Sequence, residues 1–115
     1  MAYITVRHLT REDFRDMGCI FDDDKRLAYA REVLKNNNYE RVADMNLGGS
    51  SSTILEDAYR LTNSIDTAWY ENVDLLVAEG FQDGCRSTSV GDIVQLAGES
   101  YMVAGCGFRH IDMEV

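Results

Sequence analysis

The residue types best suited to nucleophilic or metal chemistry in this chain are three cysteines and two histidines. Cys106 and His110 are four positions apart, and Cys19, Cys85 and His8 are further candidates to join them in one site. A thiol beside an imidazole can act as an activated nucleophile, and the same two groups can bind a metal ion. The spacing is nonspecific, however, and scattered cysteines and histidines are more often core residues. We therefore predict no catalytic residue, no metal site and no cofactor.

Carboxylates are the second group that could do chemistry. Close sets of acids occur at Asp22–Asp24, at Glu71 and Asp74, and at Asp112 and Glu114. General acid/base catalysis needs one carboxyl group whose pKa is raised in a pocket, and a sequence does not reveal such a pocket. The run Asp22–Asp24 is better explained as negative charge at the positive end of a helix dipole. The remaining acids are expected at the solvated surface.

The overall charge limits the class of partner. The net charge is -9, from 20 acidic and 11 basic side chains, and residues 61–115 carry only Arg86 and Arg109 as bases. Such a charge disfavours direct binding to nucleic acid or to an anionic membrane, and it favours a partner with a basic surface. The alternative is a solvated surface that only keeps the protein soluble. The candidate partner-binding acids are Glu71, Asp74, Asp83, Asp92, Glu99, Asp112 and Glu114.

Length and composition predict one globular domain. The chain has 115 residues and no proline, and no stretch of it resembles a linker. The cysteines are odd in number and contain no close pair, so a disulfide framework is not indicated and a reducing cytosol fits. The N-terminal residues include charges and no long apolar run, which disfavours a signal peptide or membrane helix. We expect a cytoplasmic protein of a bacterial host cell, with no membrane partner.

The N-terminal half predicts two strands and three helices. Residues 2–9 alternate apolar and polar side chains with the period of a half-buried strand. Thr10 can cap a following helix through its hydroxyl, and Thr53 with Glu56 forms a T-x-x-E capping box. Residues 36–38, three asparagines, can adopt the left-handed geometry that closes a helix. The predicted strands are 2–9 and 39–45, and the predicted helices are 10–18, 22–35 and one that starts at Thr53 after a loop at 48–52.

The C-terminal half predicts an irregular segment followed by three strands. No clear period is present before a short apolar run at 74–79. The stretch 86–111 then contains two apolar runs around a glycine-centred turn, which is typical of a β-hairpin. Gly105 and Gly107 interrupt its end, where a bulge, a bend or close backbone approach is expected. The predicted hairpin strands are 89–96 and 100–106, joined by Ala97, Gly98 and Glu99.

The order of these elements predicts an α+β fold, because helices and strands are partly segregated along the chain. We expect a single compact domain over residues 1–115, with an antiparallel or mixed sheet of about five strands. Two to three helices are expected on one face of this sheet, and a β-hairpin is expected at the C-terminus. Asp92 is also expected to have a structural role, since an aspartate side chain can bond nearby backbone N–H groups in a turn.

The C-terminal half resembles the YodL-like family of small, largely uncharacterised proteins of phages, plasmids and other mobile elements. The resemblance lies in an R-S-[LT]-S-V-[SG]-D-[VI] stretch, a Y-x-V strand and a G-[FW] ending, with LTNSIDTAWYEN as a companion segment upstream. It implies a mobile-element origin and a compact β-rich module, and it implies no catalytic residue. The matching residues are Arg86, Ser87, Ser89, Val90, Gly91, Asp92, Ile93, Tyr101, Val103, Gly107 and Phe108.

Charge and resemblance together favour a small acidic, non-enzymatic phage or mobile-element protein that binds a host protein. One form of this hypothesis is an anti-CRISPR or anti-restriction inhibitor that mimics DNA with its acids, and another binds host transcription machinery. The alternative is a nucleotide- or metabolite-binding protein or hydrolase with a Cys/His pocket near Cys106 or His110. Self-association as a homodimer is a third hypothesis.

Overall fold

The computed structural model describes residues 2–63, 68–71, 75–77, 84–105 and 107–112. Within these ranges the chain forms three α-helices, one 3-10 turn at Trp69–Glu71 and one sheet. The helices are α1 (Arg11–Met17), α2 (Asp23–Lys35) and α3 (Ser51–Leu61). The strands are β1 (Ala2–Leu9), β2 (Tyr39–Leu47), β3 (Leu76–Val77), β4 (Ile93–Leu96), β5 (Glu99–Val103) and β6 (Phe108–Ile111).

The described strands form one antiparallel sheet in the order β3-β2-β1-β4-β5-β6. The predicted α+β class is therefore confirmed, with six strands in place of about five. The extra strand arises at the C-terminus, where the predicted strand 100–106 ends at Val103. Gly107, which has a φ of +74°, accepts from the Ala104 N–H at 2.9 Å and reverses the chain into β6.

The first three elements match the sequence prediction. The buried side chains of Ile4 and Val6 lie on one face of β1. Thr10 caps α1, because its hydroxyl accepts from the backbone N–H of Asp13. α2 closes at Asn37, whose φ of +55° is the left-handed conformation expected for that asparagine run.

The predicted start of α3 at Thr53 is two residues too late. The helix begins at Ser51 with Ser50 as its N-cap residue, and the Ile54 N–H already donates to the Ser50 carbonyl at 2.9 Å. Thr53 therefore lies inside the first turn, where its hydroxyl donates to the same carbonyl at 3.0 Å. The capping box with Glu56 does not form, because the serines that were assigned to the loop continue the helix.

The helices cover both faces of the sheet, which corrects the expectation of one face. Ile93 and Val94 are consecutive in β4, so their side chains point to opposite faces. Ile93 packs in a cluster with Met17 of α1 and with Ala30 and Val33 of α2. Val94 packs in a second cluster with residues of α3, among them Ile54, Leu55 and Ala58. The sheet thus separates two hydrophobic clusters, one on each face.

The β4–β5 hairpin has the predicted turn. Ala97 and Gly98 are its two central residues, with φ of +53° and +81°, as a type I′ turn requires. Glu99 belongs to β5 and pairs with Leu96. No helix in the described ranges has both the length and the hydrophobicity needed to span a bilayer.

We expect Gly91→Ala to destabilise the fold by about 2–4 kcal/mol. Gly91 has a φ of +96°, and a Cβ atom there would lie 2.6 Å from Cγ of buried Met17. The matched control is Gly98→Ala, where φ is +81° and no atom lies within 4 Å of the new Cβ. This control carries backbone strain alone and should cost about 1 kcal/mol. Urea unfolding measures both, and equal losses would contradict the packing explanation.

Candidate functional site

A buried ion pair between Arg86 and Asp92 forms the centre of the site. Asp92 is completely buried, and the Arg86 guanidinium donates to both of its oxygens, at 2.5 Å through Nη1 and at 2.7 Å through Nη2. This fork geometry matches a planar guanidinium to a carboxylate, and it is the arrangement in which a buried charge is best compensated. Both residues belong to the loop before β4, and their ion pair anchors this loop in the interior of the protein.

Asp92 also accepts two backbone hydrogen bonds. The Ser89 N–H donates at 2.7 Å to one oxygen, and the Leu9 N–H donates at 2.9 Å to the other. The expected structural role of Asp92 in a turn is confirmed by the first bond. The inclusion of Asp92 in an exposed acidic surface was wrong, because its carboxylate is needed inside to bind Arg86 and the end of β1.

Arg86 has further contacts that fix its position. Its guanidinium carbon lies 3.9 Å from the centre of the Phe14 ring, which is a cation-π contact with α1. Nη2 donates to the carbonyl of Leu9 at 3.2 Å, and Nη1 donates to the carbonyl of Ser87 at 3.1 Å. One side chain therefore links α1, the end of β1 and the loop that leads to β4.

A chain of hydrogen bonds next to this pair sets the tautomer of His8. The Thr62 hydroxyl donates to the carbonyl of Ala58 at 2.8 Å, so it must accept from the Thr88 hydroxyl at 2.7 Å. Thr88 has one hydroxyl proton, and it donates that proton to Thr62. It therefore accepts from Nε2 of His8 at 2.8 Å, and Nε2 carries the imidazole proton.

The other ring nitrogen of His8 is left as an acceptor beside a thiol. Nδ1 lies 3.6 Å from Sγ of Cys85, and both residues line a pocket of about 270 Å³. Leu9, Phe14, Glu40 and the other residues of this wall come from β1, α1, β2 and the loop before β4. The register explains the placement of Glu40, because it pairs with His8 across β1 and β2.

Both members of the Cys85–His8 pair are uncharged at neutral pH. Burial lowers the pKa of His8 to about 4, and the nearby Asp92 carboxylate, 3.9 Å from Nε2, only partly opposes this effect. Burial also raises the pKa of the Cys85 thiol to about 11. A reactive nucleophile requires the thiolate, so this environment disfavours nucleophilic catalysis by Cys85 and favours a binding role.

The other thiol and imidazole candidates lie elsewhere. His110 is at the surface, where its Nε2 lies 2.6 Å from a Glu99 carboxylate oxygen. Cys19 is exposed, and its thiol donates to the Arg15 carbonyl at 3.7 Å. Cys106 lies outside the described residues, so the predicted proximity of Cys106 and His110 stays untested. The described residues contain no group of three or more histidines, cysteines and acids that could hold a metal ion.

The predicted acidic residues are only partly within the described structure. Glu99 and Asp112 are exposed. Asp74, Asp83, Glu114 and the side chain of Glu71 lie outside the described part. Cys85 and His8 are among the thiol and imidazole candidates from the sequence, and the structure brings these two together, whereas Thr88 is not among them. One signal was available, because His8 has the same parity as Ile4 and Val6 on the inward face of β1.

We expect Arg86→Met to cost about 3–5 kcal/mol of unfolding free energy, because it leaves the Asp92 charge buried and unpaired. Adding Asp92→Asn should recover part of this loss, since the buried charge is then removed. The matched control is Arg109→Met, which breaks an exposed ion pair with Asp24 and should cost at most about 1 kcal/mol. Equal losses for the two arginine variants in urea unfolding would contradict a dominant role of the buried pair.

Stability should also depend on the protonation of His8. The unfolded chain binds this proton near pH 6.5, whereas burial in the fold lowers the pKa to about 4. The stability due to neutral His8 is therefore complete above pH 6.5 and declines as the pH falls towards 4, by up to about 3 kcal/mol. His8→Gln should reduce the loss of stability between pH 7 and 4.5. Denaturant unfolding at both pH values measures these slopes, and equal slopes for His8→Gln and wild type would contradict the assignment.

Comparisons of the chain with protein-family models, with curated proteins and with solved structures found no match. The resemblance to the YodL-like family therefore stays a prediction. The structure does give physical roles to several residues of the resembling stretch. Arg86 and Asp92 form the buried ion pair, Ser89 donates its N–H to Asp92, and Gly91 adopts a positive φ against Met17.

Proposed function

We propose that this chain is a small acidic, non-enzymatic protein that binds a basic surface of a host protein. The observation that carries the proposal is a cluster of acids from three places in the chain along β6, the edge strand of the described sheet. We call this cluster the acidic edge. It consists of Asp22, Asp23, Asp24, Glu99 and Asp112.

Contacts between α2 and β6 assemble one part of the acidic edge. Arg109 of β6 donates to Asp24 at 2.8 Å, and the Gly105 N–H donates to Asp23 at 3.2 Å. This second bond, together with Arg26, lowers the pKa of Asp23, so that its carboxylate stays charged. The start of α2 is therefore held against the end of the sheet, with Asp22 and Asp24 exposed.

The hairpin register assembles the other part. Ser100 of β5 pairs with Ile111 of β6, so the next residues outward along this ladder are Glu99 and Asp112. Both are exposed, and Glu99 contacts His110 at 2.6 Å. The two acids thus extend the negative charge to the far end of the edge strand.

The charge balance of this region favours a basic partner. Its acids outnumber the two arginines that contact them, Arg26 and Arg109. Exposed clusters of one sign attract the opposite sign over about one Debye length and raise the rate of association. A nuclease of a defence system has such a basic surface for DNA phosphates, which supports the anti-CRISPR or anti-restriction form of the proposal. Host transcription machinery offers the same chemistry.

The test compares two variants with equal loss of charge. The edge variant carries Asp24→Asn, Glu99→Gln and Asp112→Asn, and the control carries Glu12→Gln, Asp16→Asn and Glu32→Gln at other exposed positions. A partner captured from host extract at moderate salt is purified and its association rate is measured with each variant. We expect the edge variant to bind roughly tenfold more slowly and with a weaker salt dependence, and the control to bind like wild type.

Two results would contradict the proposal. The first is recovery of no protein partner at moderate salt. The second is equal binding by the edge variant and the control. Light scattering on the isolated protein tests the competing hypothesis of a homodimer. If the mass corresponds to two chains and does so in the edge variant as well, the protein self-associates through a surface other than the acidic edge.

The Cys85–His8 pocket favours a second candidate function, a small nucleotide- or metabolite-binding protein. The supporting observation is the 3.6 Å contact between thiol and imidazole in a pocket of about 270 Å³. The neutral pair favours the binding form of this hypothesis over the hydrolase form. Thermal unfolding with and without a panel of nucleotides tests it. A stabilisation that disappears in Glu40→Gln or Cys85→Ser would support it, and no stabilisation of wild type would count against it.

A further inference from the structure

We propose that a basic partner docks by adding one of its extended segments to β6 as a further strand of the sheet, with lysine or arginine side chains on the face that α3 covers. The proposal rests on the proposed function, because it names the kind of segment that a basic partner presents to the acidic edge. It is carried by the backbone of β6 and by a cleft beside this strand.

The backbone of β6 has hydrogen-bonding groups that point away from the sheet. In an antiparallel ladder, alternate residues direct their backbone groups to opposite sides of the strand. Gly107 directs its carbonyl towards β5, where it accepts from the Ala104 N–H at 2.9 Å. Residues two and four positions further along share this orientation, so the N–H and C=O groups of Phe108 and His110 point outward. No strand or loop of the described ranges pairs with these groups.

A cleft lies on the α3 face beside the start of β6. Its volume is about 190 Å³, which suits one side chain because pockets for whole small ligands are typically about 300 Å³ or larger. Tyr59 and Phe108 line it with rings that meet edge to face, 6.4 Å between centres. Glu56 lines it with an exposed carboxylate. We call this space, between Glu56 and Tyr59 of α3 and Phe108 of β6, the β6 cleft.

The β6 cleft favours a lysine or arginine side chain. Both side chains have an apolar stem that packs on aromatic rings and a charged head that can reach a carboxylate. In this cleft the stem meets Tyr59 and Phe108, and the head meets Glu56. Residues that lie directly opposite each other in paired strands share one face of the sheet. The residue of the incoming strand that lies opposite Phe108 therefore enters the cleft.

A second acid on the same face sets the spacing of the incoming bases. Ser100 pairs with Ile111, so Glu99 lies at the level of the residue after Ile111, four positions beyond Phe108. Glu99 is exposed and contacts His110 on this face at 2.6 Å. Residues four apart in a strand point to the same face. Two bases separated by three residues thus match Glu56 and Glu99.

A second copy of this chain is a poor occupant of the same edge. Pairing of β6 with β6 of another molecule brings two acidic edges together, and like charges across an interface are unfavourable. Charged side chains are also a common means by which edge strands avoid pairing with each other. A strand of opposite charge meets no such barrier, so charge complementarity favours a basic partner.

The probe is the end-capped peptide Lys-Thr-Lys-Thr-Lys-Thr-Lys, titrated into the full-length protein by calorimetry at low and moderate salt. Its lysines share one face when the peptide is extended. The control peptide has the same sequence with every backbone nitrogen methylated, so it keeps all charges and donates no backbone hydrogen bond. We expect the control peptide to bind at least about tenfold more weakly, because the bonds to β6 are lost.

Amide hydrogen exchange locates the added strand. In the free protein the outward amides of Phe108 and His110 should exchange faster than those of Arg109 and Ile111, which face β5. The unmodified peptide should slow exchange at Phe108 and His110 by at least about tenfold. The methylated peptide should leave their exchange unchanged.

Two pairs of variants test the strand and the cleft separately. His110→Pro removes an outward N–H, and His110→Ala is its matched control because it loses the same side chain and keeps that N–H. The proline variant should bind the peptide at least about tenfold more weakly than the alanine variant. Glu56→Gln should weaken binding about threefold or more, whereas Glu32→Gln at an exposed position of α2 should not. Circular dichroism confirms folding, and if the proline variant is unfolded the methylated peptide decides.

The added strand is overturned by equal binding of the two peptides, by unchanged exchange at Phe108 and His110 with peptide bound, or by no binding of either peptide at low salt. Protection of these two amides that rises with protein concentration without peptide also overturns it, because a second copy then covers β6. Equal affinity of Glu56→Gln and Glu32→Gln contradicts a base in the β6 cleft. Equal binding of the two peptides still leaves a basic partner possible, and the edge variant judges that proposal separately.

Discussion

The fold depends on the compensation of one buried negative charge. An isolated carboxylate in the interior is strongly destabilising, so Asp92 requires a cation and further donors around it. Arg86 supplies the cation, and the N–H groups of Leu9 and Ser89 supply two more hydrogen bonds. These partners come from β1 and from the loop before β4, two segments that are far apart in sequence. Satisfying Asp92 therefore also fixes how these two segments meet.

The same constraint places the residues of the candidate site. The β1–β4 pairing and the Leu9 bond to Asp92 bring Thr88 and Cys85 to the end of β1 that carries His8. Tyr39, at the start of β2, donates its hydroxyl to the Gly91 carbonyl at 2.7 Å and fixes the same loop from another side. The candidate site is built from β1, α1, β2 and the loop before β4. Hydrogen bonds between residues that are distant in sequence therefore determine its geometry.

Local elements were predictable from the sequence, whereas the arrangement between them was not. The alternation in β1 and the hydroxyl of Thr10 are local signals, and both were confirmed. The start of α3 failed because Ser50 competes with Thr53 as a cap, and sequence spacing alone does not rank two capping residues. The packing of helices on both faces of the sheet was indicated by β4. Ile93 and Val94 are consecutive and both apolar, which is typical of a strand that is buried on both sides. The His8–Cys85 contact had only the residue types and the inward position of His8 as signals, because 77 positions separate the two residues along the chain.

The sheet order keeps the two proposed sites physically apart. The pocket lies at β1 and β2, the acidic edge lies along β6, and β4 and β5 stand between them. A partner that docks on the acidic edge therefore contacts neither Cys85 nor His8 directly. Two routes connect them: β4, which follows Asp92 and leads into the β5 hairpin, and the core cluster in which Leu9 packs with α1, α2 and Ile111 of β6. Asp92 immediately precedes β4 and is held by the ion pair with Arg86 and by the N–H groups of Ser89 and Leu9, so that end of β4 resists displacement.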